Sequence, residues 1–315
     1  MGFRRLADFL ERLDQAGELA RVESEVLPTL ETAEIVRRTA FRAGPALCFG
    51  SIRGSSAPLV ANLLGTEPRI CLALGVDTID EVAARLEGLV HPEQPEGWFE
   101  RLKTPPYVTA MESLPPRVVR TGACQQVVRL GDDVDLERLP LLQAAPAEPR
   151  LSMTGGILLT IDPCTGQLVT GRCPLEMVDR TRLAACLDHH DEPARVVAEY
   201  ARRQQTMPLA VVMGDDPLLS LAASIPSAPG TDACRLAALL RQKPVDVVKC
   251  RSVELQVPAE AEMVLEGHIA SSEPWGEVGP RATSTGYYRS AGRGPIIHVT
   301  AMTERANPVF QALVP

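Results

Sequence analysis

The sequence predicts an α+β fold, with an α/β domain and its linker over residues 1–110 and a strand-rich domain over 118–315 that forms a partly closed β-barrel or sandwich. Three observations carry this expectation. Helical and strand patterns alternate through the first hundred residues. A polar stretch from His91 to Pro116, with prolines at 92, 95, 105, 106, 115 and 116, reads as an inter-domain linker. Beyond it, seven β-branched runs bounded by turn residues outnumber three helical ones.

The first element is an amphipathic helix, because Leu6, Phe9, Leu10 and Leu13 recur at helical spacing and Gly17 is placed to stop it. Helical patterns follow over Thr32 to Arg42 and Ile79 to Val90, with short buried strands at Ala46 to Phe49 and Leu59 to Leu64. In the second half the strands are read at Cys124 to Leu130, Gly155 to Asp162, Gln167 to Cys173, Leu209 to Met213, Val245 to Lys249, Glu262 to Ile269 and Pro295 to Met302. Helices are expected over Arg180 to Asp188, Pro193 to Gln205 and Asp232 to Leu240.

Composition excludes several classes. Hydrophobic residues make up 45% and charged residues 23%, which rules out wholesale disorder and a fibrous repeat. The net charge of −8 argues against a nucleic-acid partner or an anionic membrane surface, since both need clustered cations. Apolar runs such as Ile70 to Val76 fall well short of the roughly 20 residues that a membrane span needs. Asp8, Glu11 and Asp14 interrupt any apolar signal core, so a cytoplasmic address is expected. The eight cysteines form no C-x-x-C pair and read as buried, reduced thiols. No nucleophile elbow, P-loop, H-E-x-x-H or dinucleotide fingerprint is present. The adjacent His189 and His190 stand out, but on a helix only one of two neighbours can face a given site.

Several segments, in order, resemble the UbiD family of carboxy-lyases. They are Gly131-Asp132-Asp133-Val134-Asp135-Leu136-Glu137-Arg138-Leu139-Pro140, Asp162-Pro163-Cys164-Thr165-Gly166, Val247-Val248-Lys249-Cys250, Val257-Pro258-Ala259 with Val264-Leu265-Glu266-Gly267, and Thr285-Gly286-Tyr287-Tyr288. Phe9-Leu10 to Gly17-Glu18-Leu19 and Ala61-Asn62-Leu63-Leu64-Gly65 also fit, so the resemblance runs from about residue 5 to residue 305. It implies a split β-barrel, flavin-reductase-like, preceded by an α/β domain. It implies reversible non-oxidative decarboxylation of an aromatic or α,β-unsaturated carboxylic acid with prenylated FMN, a divalent metal such as Mn²⁺, and K⁺. A short member lacking the family's C-terminal domain is expected.

Carried over residue by residue, the resemblance puts a metal-ligating Asn at Val169 and the substrate-binding Arg at Pro174, so both are lost. Arg172 is the nearby replacement, on the expectation that it shares a strand face with position 174. His189 falls on the family's metal-binding His and Asp246 where the family has Glu. Ser224, Ile225 and Pro226, with His189, fall where the family contacts the flavin. Glu277 matches the first acid of the family's acidic loop if Val278 is a one-residue insertion. The second acid, the family's proton donor, becomes Thr283, which cannot exchange a proton as a carboxyl can. The expected catalytic pair is therefore Glu277 and Arg172. Two functions follow as expectations: a carboxy-lyase with a rearranged acid set, or a non-catalytic UbiD-like subunit that pairs with a partner chain. Self-association or association with such a partner is expected in both cases.

Overall fold

The computed structural model describes residues 3–83, 114–188, 190–225 and 232–315. In chain order the elements begin with helix α1 (Leu6–Gln15), strand β1 (Leu19–Val22), helix α2 (Glu31–Phe41), strands β2 (Ala46–Phe49) and β3 (Leu59–Ala61), and helix α3 (Glu67–Leu74). After residue 113 come β4 (Arg117–Val118), β5 (Val127–Leu130), β6 (Ser152–Met153), β7 (Ile157–Ile161), β8 (Leu168–Gly171), β9 (Leu175–Met177) and β10 (Arg182–Ala185). Next are α4 (Glu192–Arg202), β11 (Met207–Met213), α5 (Pro217–Ala222), α6 (Ala233–Arg241), β12 (Asp246–Lys249), β13 (Gln256–Pro258) and β14 (Met263–Ile269). The chain closes with β15 (Gly276–Val278), β16 (Arg281–Ala282), β17 (Tyr288–Arg289), β18 (Gly292–Gly294), β19 (Ile296–Glu304) and β20 (Phe310–Gln311).

The expected α+β class is what the molecule has. Its centre is an antiparallel nine-stranded sheet in the order β6-β9-β10-β19-β14-β11-β7-β8, with β5 also on β19. The long β19 pairs β10 through Ile296 to His298 and β5 through Ala301 to Glu304, and β14 shifts register between Glu266 and Gly267. Such a bulge bends a strand and raises its twist, which curls the sheet into a half-barrel. Gly267 permits it: a Cβ there would lie 2.1 Å from the His298 carbonyl oxygen.

Period-two burial explains why this sheet holds two cores. On β11, Met207, Leu209, Val211 and Met213 enter one apolar cluster with Leu158 and Leu265, while Ala210 and Val212 enter another with Leu159 and Val264. The second cluster is closed by α5 and α6 through Leu218, Leu219, Ala237 and Ala238. Each fully buried Val or Leu side chain contributes about 1.5–3 kcal/mol.

All seven second-half strands read from the sequence are present, in some cases shortened at their ends. The helix expected over Arg180 to Asp188 is instead β10, whose edges are taken by β9 and β19. Tertiary pairing overrides the helix preference of Arg, Leu and Ala there. The proposed linker and the helix over Ile79 to Val90 lie mostly outside the described residues. The first sheet, β1-β2-β3-β20, recruits the chain's last strand: Phe310 and Gln311 pair in parallel with Leu59 and Val60. Residues 310–311, expected to belong to the second domain, thus join the sheet of the first segment and hold the two halves together. No helix among the described residues is long and apolar enough to cross a membrane.

Candidate functional site

The β7–β8 hairpin carries Val169 and leads into Arg172. Its turn is set by Asp162, whose carboxylate accepts from the Cys164 N–H at 2.7 Å while its carbonyl accepts from Gly166 N–H at 2.8 Å, an arrangement Asp favours. Arg195 of α4 then pairs with Asp162 at 2.6 Å. On β8, Val169 is buried against a cavity of about 410 Å³ whose charged lining, Asp162, Glu192 and Arg195, is already mutually paired. Thr170 accepts from the Ala233 N–H at 2.8 Å, docking the start of α6 on the strand. That contact brings Asp232, the α6 N-cap, beside β8. Its carboxylate is buried, accepts from Arg235 N–H, and is pushed up in pKa by that burial.

Arg172 lies just past the end of β8, outside any strand. Its Nη1 donates to the Gly155 carbonyl at 2.9 Å, and its Nη2 donates to the Ser220 carbonyl at 3.0 Å and hydroxyl at 2.6 Å. Ser220 is the centre of a small polar network: its carbonyl also accepts from Ser224 Oγ, and its hydroxyl from the Gln311 side chain. Gly155 is obligatory, since a Cβ would sit 2.0 Å from the Gln311 carbonyl oxygen. Arg172, Ser220, Ser224 and Gln311 line a cavity of about 490 Å³ between the barrel and the first segment, where Val36, Ala40, Leu63, Leu64 and Ile70 form most of the opposite wall.

Pro174 lies elsewhere. Its carbonyl accepts from Cys186 N–H at 2.9 Å, at the entry to the β9–β10 hairpin. The expectation that Arg172 shares a strand face with position 174 therefore fails, because the chain leaves the strand at Gly171 and the guanidinium is anchored on Ser220. Asp246 is likewise removed from Val169. It lies on β12, directly opposite Arg117 of β4, and the two side chains form a two-pronged pair at 2.6 and 2.7 Å. The expected His189 and Pro226 fall outside the described residues. Ser224 and Ile225 are exposed, with the Ser224 hydroxyl on the cavity wall.

Glu277 is exposed on β15, and it is its carbonyl, not its carboxylate, that accepts from Arg150, at 2.8 Å. Thr283 bonds within its own turn, to Thr285 and the Tyr287 carbonyl. Two carboxylates that the sequence reading did not single out are buried close by. Glu176 accepts from the Gly279 N–H at 2.7 Å and lies 3.4 Å from Arg150, and Glu148 accepts from Ala144 and Ala282 N–H groups at 2.7 and 3.1 Å. Both tie the 279–282 loop to the barrel. The available signal was weak: Glu176 follows Leu175 in a run short enough to read as loop.

Among the described residues no three His, Cys, Asp or Glu side chains gather as a metal site. Asp246 is engaged by Arg117 through both oxygens, and Val169 offers no donor. The described donors therefore do not fit a divalent ion at the position the resemblance implied.

The half-barrel with its preceding α/β segment defines the class of fold, and the chain belongs to the UbiD family. The family model for the 3-octaprenyl-4-hydroxybenzoate carboxy-lyase Rift-related domain matches residues 117–315, and the model for the corresponding N-terminal domain matches residues 10–86. An uncharacterized protein of Aquifex aeolicus is 32% identical over 310 residues, covering 98% of this chain and 64% of its own length. Among solved structures, vanillic acid decarboxylase of Sedimentibacter hydroxybenzoicus in its closed form superposes with a TM-score of 0.87 at 26% identity, over 99% of this chain and 64% of that one. An evolved dimeric form of the UbiD-class enzyme HmfF from Pelotomaculum thermopropionicum, in complex with prFMN, gives 0.86 at 25% identity, over 99% and 68%. The chain thus spans about two thirds of the length of these relatives.

Proposed function

We propose that the chain is a UbiD-like carboxy-lyase that binds prenylated FMN along residues 224–226 and acts on an aromatic or α,β-unsaturated carboxylic acid, with an altered set of acid and guanidinium groups. The observation that supports it is the superposition over 99% of the chain on an enzyme solved with prFMN. When bound, the flavin would supply an electron sink for the bonding pair that CO₂ leaves behind on the substrate. This chain's residues supply position and dryness: Ser224 offers its hydroxyl at the cavity wall, and the apolar wall from α2 excludes water. No step is assigned to a metal, because the described donors do not fit one. Glu277 remains the catalytic candidate in the acidic loop, carried on β15.

The test is purification from a host that makes prenylated FMN. Near-UV and visible absorption that co-elutes with the protein, together with CO₂ release from a panel of benzoic and cinnamic acids, is expected. Colourless protein with no release overturns the reading.

A second reading, a subunit completed by a UbiD-like partner or by a second copy, is favoured by Phe41, which is 94% exposed at the rim of the same cavity. It predicts that decarboxylation appears only on adding the partner chain.

A further inference from the structure

A further cavity, of about 310 Å³, opens where Arg117 of β4, Asp246 of β12 and Pro258 of β13 meet the end of α6, Phe3 and Arg4. It shares no wall residue with the cavity that Arg172 lines. Four cations line it, Arg4, Arg117, Arg241 and Lys243, against three acids, Asp215, Asp246 and Glu260. Two of the acids are already engaged: both Asp246 oxygens accept from Arg117, and Glu260 lies 2.6 Å from Arg305. Arg241 is matched by Asp216 at 2.6 Å. What remains is a surplus of donors. Among the described residues Lys243 pairs with no carboxylate, and Arg4 approaches Glu260 only to 3.6 Å, too far for a hydrogen bond. Arg117 keeps three of its five N–H hydrogens, and Arg241 Nε is buried without an acceptor.

Of the three acids only Asp215 is buried. Its Oδ1 accepts from the Asp216 N–H at 2.7 Å, and burial, then the Asp216 charge, push it up to about 7, with Glu260 adding to the rise and Arg241 opposing it. The Cys124 and Cys234 thiols that also act on it are kept neutral by their own burial. On the acid side of neutrality Asp215 therefore holds a hydrogen that it can donate. The carbonyl end of α6, which would repel an anion, is partly covered, because the Gln242 and Lys243 N–H groups take the Leu239 and Ala238 carbonyls. With its acids paired or protonated the cavity is net positive, and its volume lies at the small end of the range for ligand sites. We propose that this cavity binds a small oxyanion of the phosphate or sulfate class, free or as a monoester, received by Lys243, Arg4 and Arg117 at its exposed rim and by protonated Asp215 at its base. The site makes no use of the flavin cavity, so it stands or fails independently of decarboxylation.

The experiment is calorimetric titration of the full chain at low salt with inorganic phosphate, sulfate, phosphoserine and, as a monoanion, acetate. Phosphate and sulfate are expected to bind saturably with Kd below about 5 mM, and acetate more weakly. Phosphoserine tighter than phosphate assigns a monoester, and phosphoserine equal or weaker assigns the free ion. Lys243→Gln and Arg4→Gln are each expected to weaken sulfate by roughly 3- to 10-fold, a charge-assisted contact reduced by solvent screening. Both side chains are exposed, so these variants keep the fold. Sulfate stays a dianion across neutral pH, so its affinity should fall as pH rises from about 6 to 8 and Asp215 loses its proton, and Asp215→Asn should flatten that fall. No saturable binding by about 5 mM, acetate equal to sulfate, or undiminished binding in both rim variants overturns the proposal. A sulfate affinity that does not fall with pH, or a fall that persists in Asp215→Asn, also overturns it; if Asp215→Asn does not fold, the two rim variants decide.

Discussion

Among the described residues, two of the regions that bury guanidinium groups treat them oppositely. Around α5 and α6, each one meets buried carboxylate: Arg241 pairs with the fully buried Asp216 at 2.6 Å, and Arg305 reaches Glu260 at 2.6 Å and Glu262 at 3.3 Å. At the β8 end, Arg172 meets two carbonyls and a hydroxyl and, among the described residues, no carboxylate side chain. The difference separates a charge-compensated contact from one held by neutral acceptors. A compensated pair fixes elements against each other, as Asp216 does while also capping α5 through the Leu218 N–H.

The largest expected effect breaks the compensated side. Arg241→Ala strands the Asp216 carboxylate in the core, which costs about 3–5 kcal/mol, whereas Arg172→Met breaks no carboxylate pair and loses hydrogen bonds to the neutral Gly155 and Ser220 acceptors, so it should cost less, about 1–3 kcal/mol. Urea denaturation of the two variants measures the contrast. Equal losses would show that Arg172 is as much a structural group as Arg241.

The acidic side sharpens the same contrast through pH. Burial and the neighbouring Asp216 charge push Asp215 up to about 7, with Arg241 opposing and Glu260 adding to the rise; burial likewise takes Glu262 to about 7. In the unfolded chain such carboxyls titrate near 4. Between these values the folded state holds protons that the unfolded state has released, so stability falls as pH rises. The contribution is fully present below about pH 4 and lost through pH 7. Asp215→Asn is therefore expected to flatten the decline between pH 4.5 and 7.5 by about 1–3 kcal/mol. A denaturation series whose slope is the same in the variant would contradict this.

Which of these regions could be read from the sequence follows from the physics of each. Alternation along β7, β11 and β14 was legible because burial on a sheet has period two, and α1, α2, α4 and α6 were legible from spacing. Helix α3 was read only as an apolar run, although Pro68 in its first turn and Gly75 at its left-handed end mark its limits. The pairing of β20 with β3 was not legible, since nothing local in Phe310-Gln311 names a partner 250 residues away. At the site, the resemblance put Val169 and Pro174 where the family has its Asn and Arg, an expectation that rests on sequence match alone. The sequence could not show that Arg172 turns to Ser220, or that Glu148 and Glu176 go inside, because carboxylates are ordinarily exposed. Asp246 was placed by sequence match alone, and its cross-strand partner Arg117 lies 129 residues earlier.

The smallest effect belongs to that Arg117–Asp246 pair, the surface counterpart of Arg241–Asp216. The hydrogen bonds from Arg117 hold Asp246 below the usual carboxylate range, yet the Arg117 side chain is 66% exposed, so water and salt screen most of the attraction. Arg117→Ala should cost only about 0.2–1 kcal/mol, and less in high salt, despite the two-pronged geometry. The same variant frees the Asp246 carboxylate, which makes it the sharpest check on the metal assignment. If Asp246 is only a strand-pairing residue, Mn²⁺ should leave the melting temperature of Arg117→Ala where it was. A Mn²⁺-dependent rise that vanishes on adding Asp246→Asn would return Asp246 to the ligand set and show that Arg117 had been covering it.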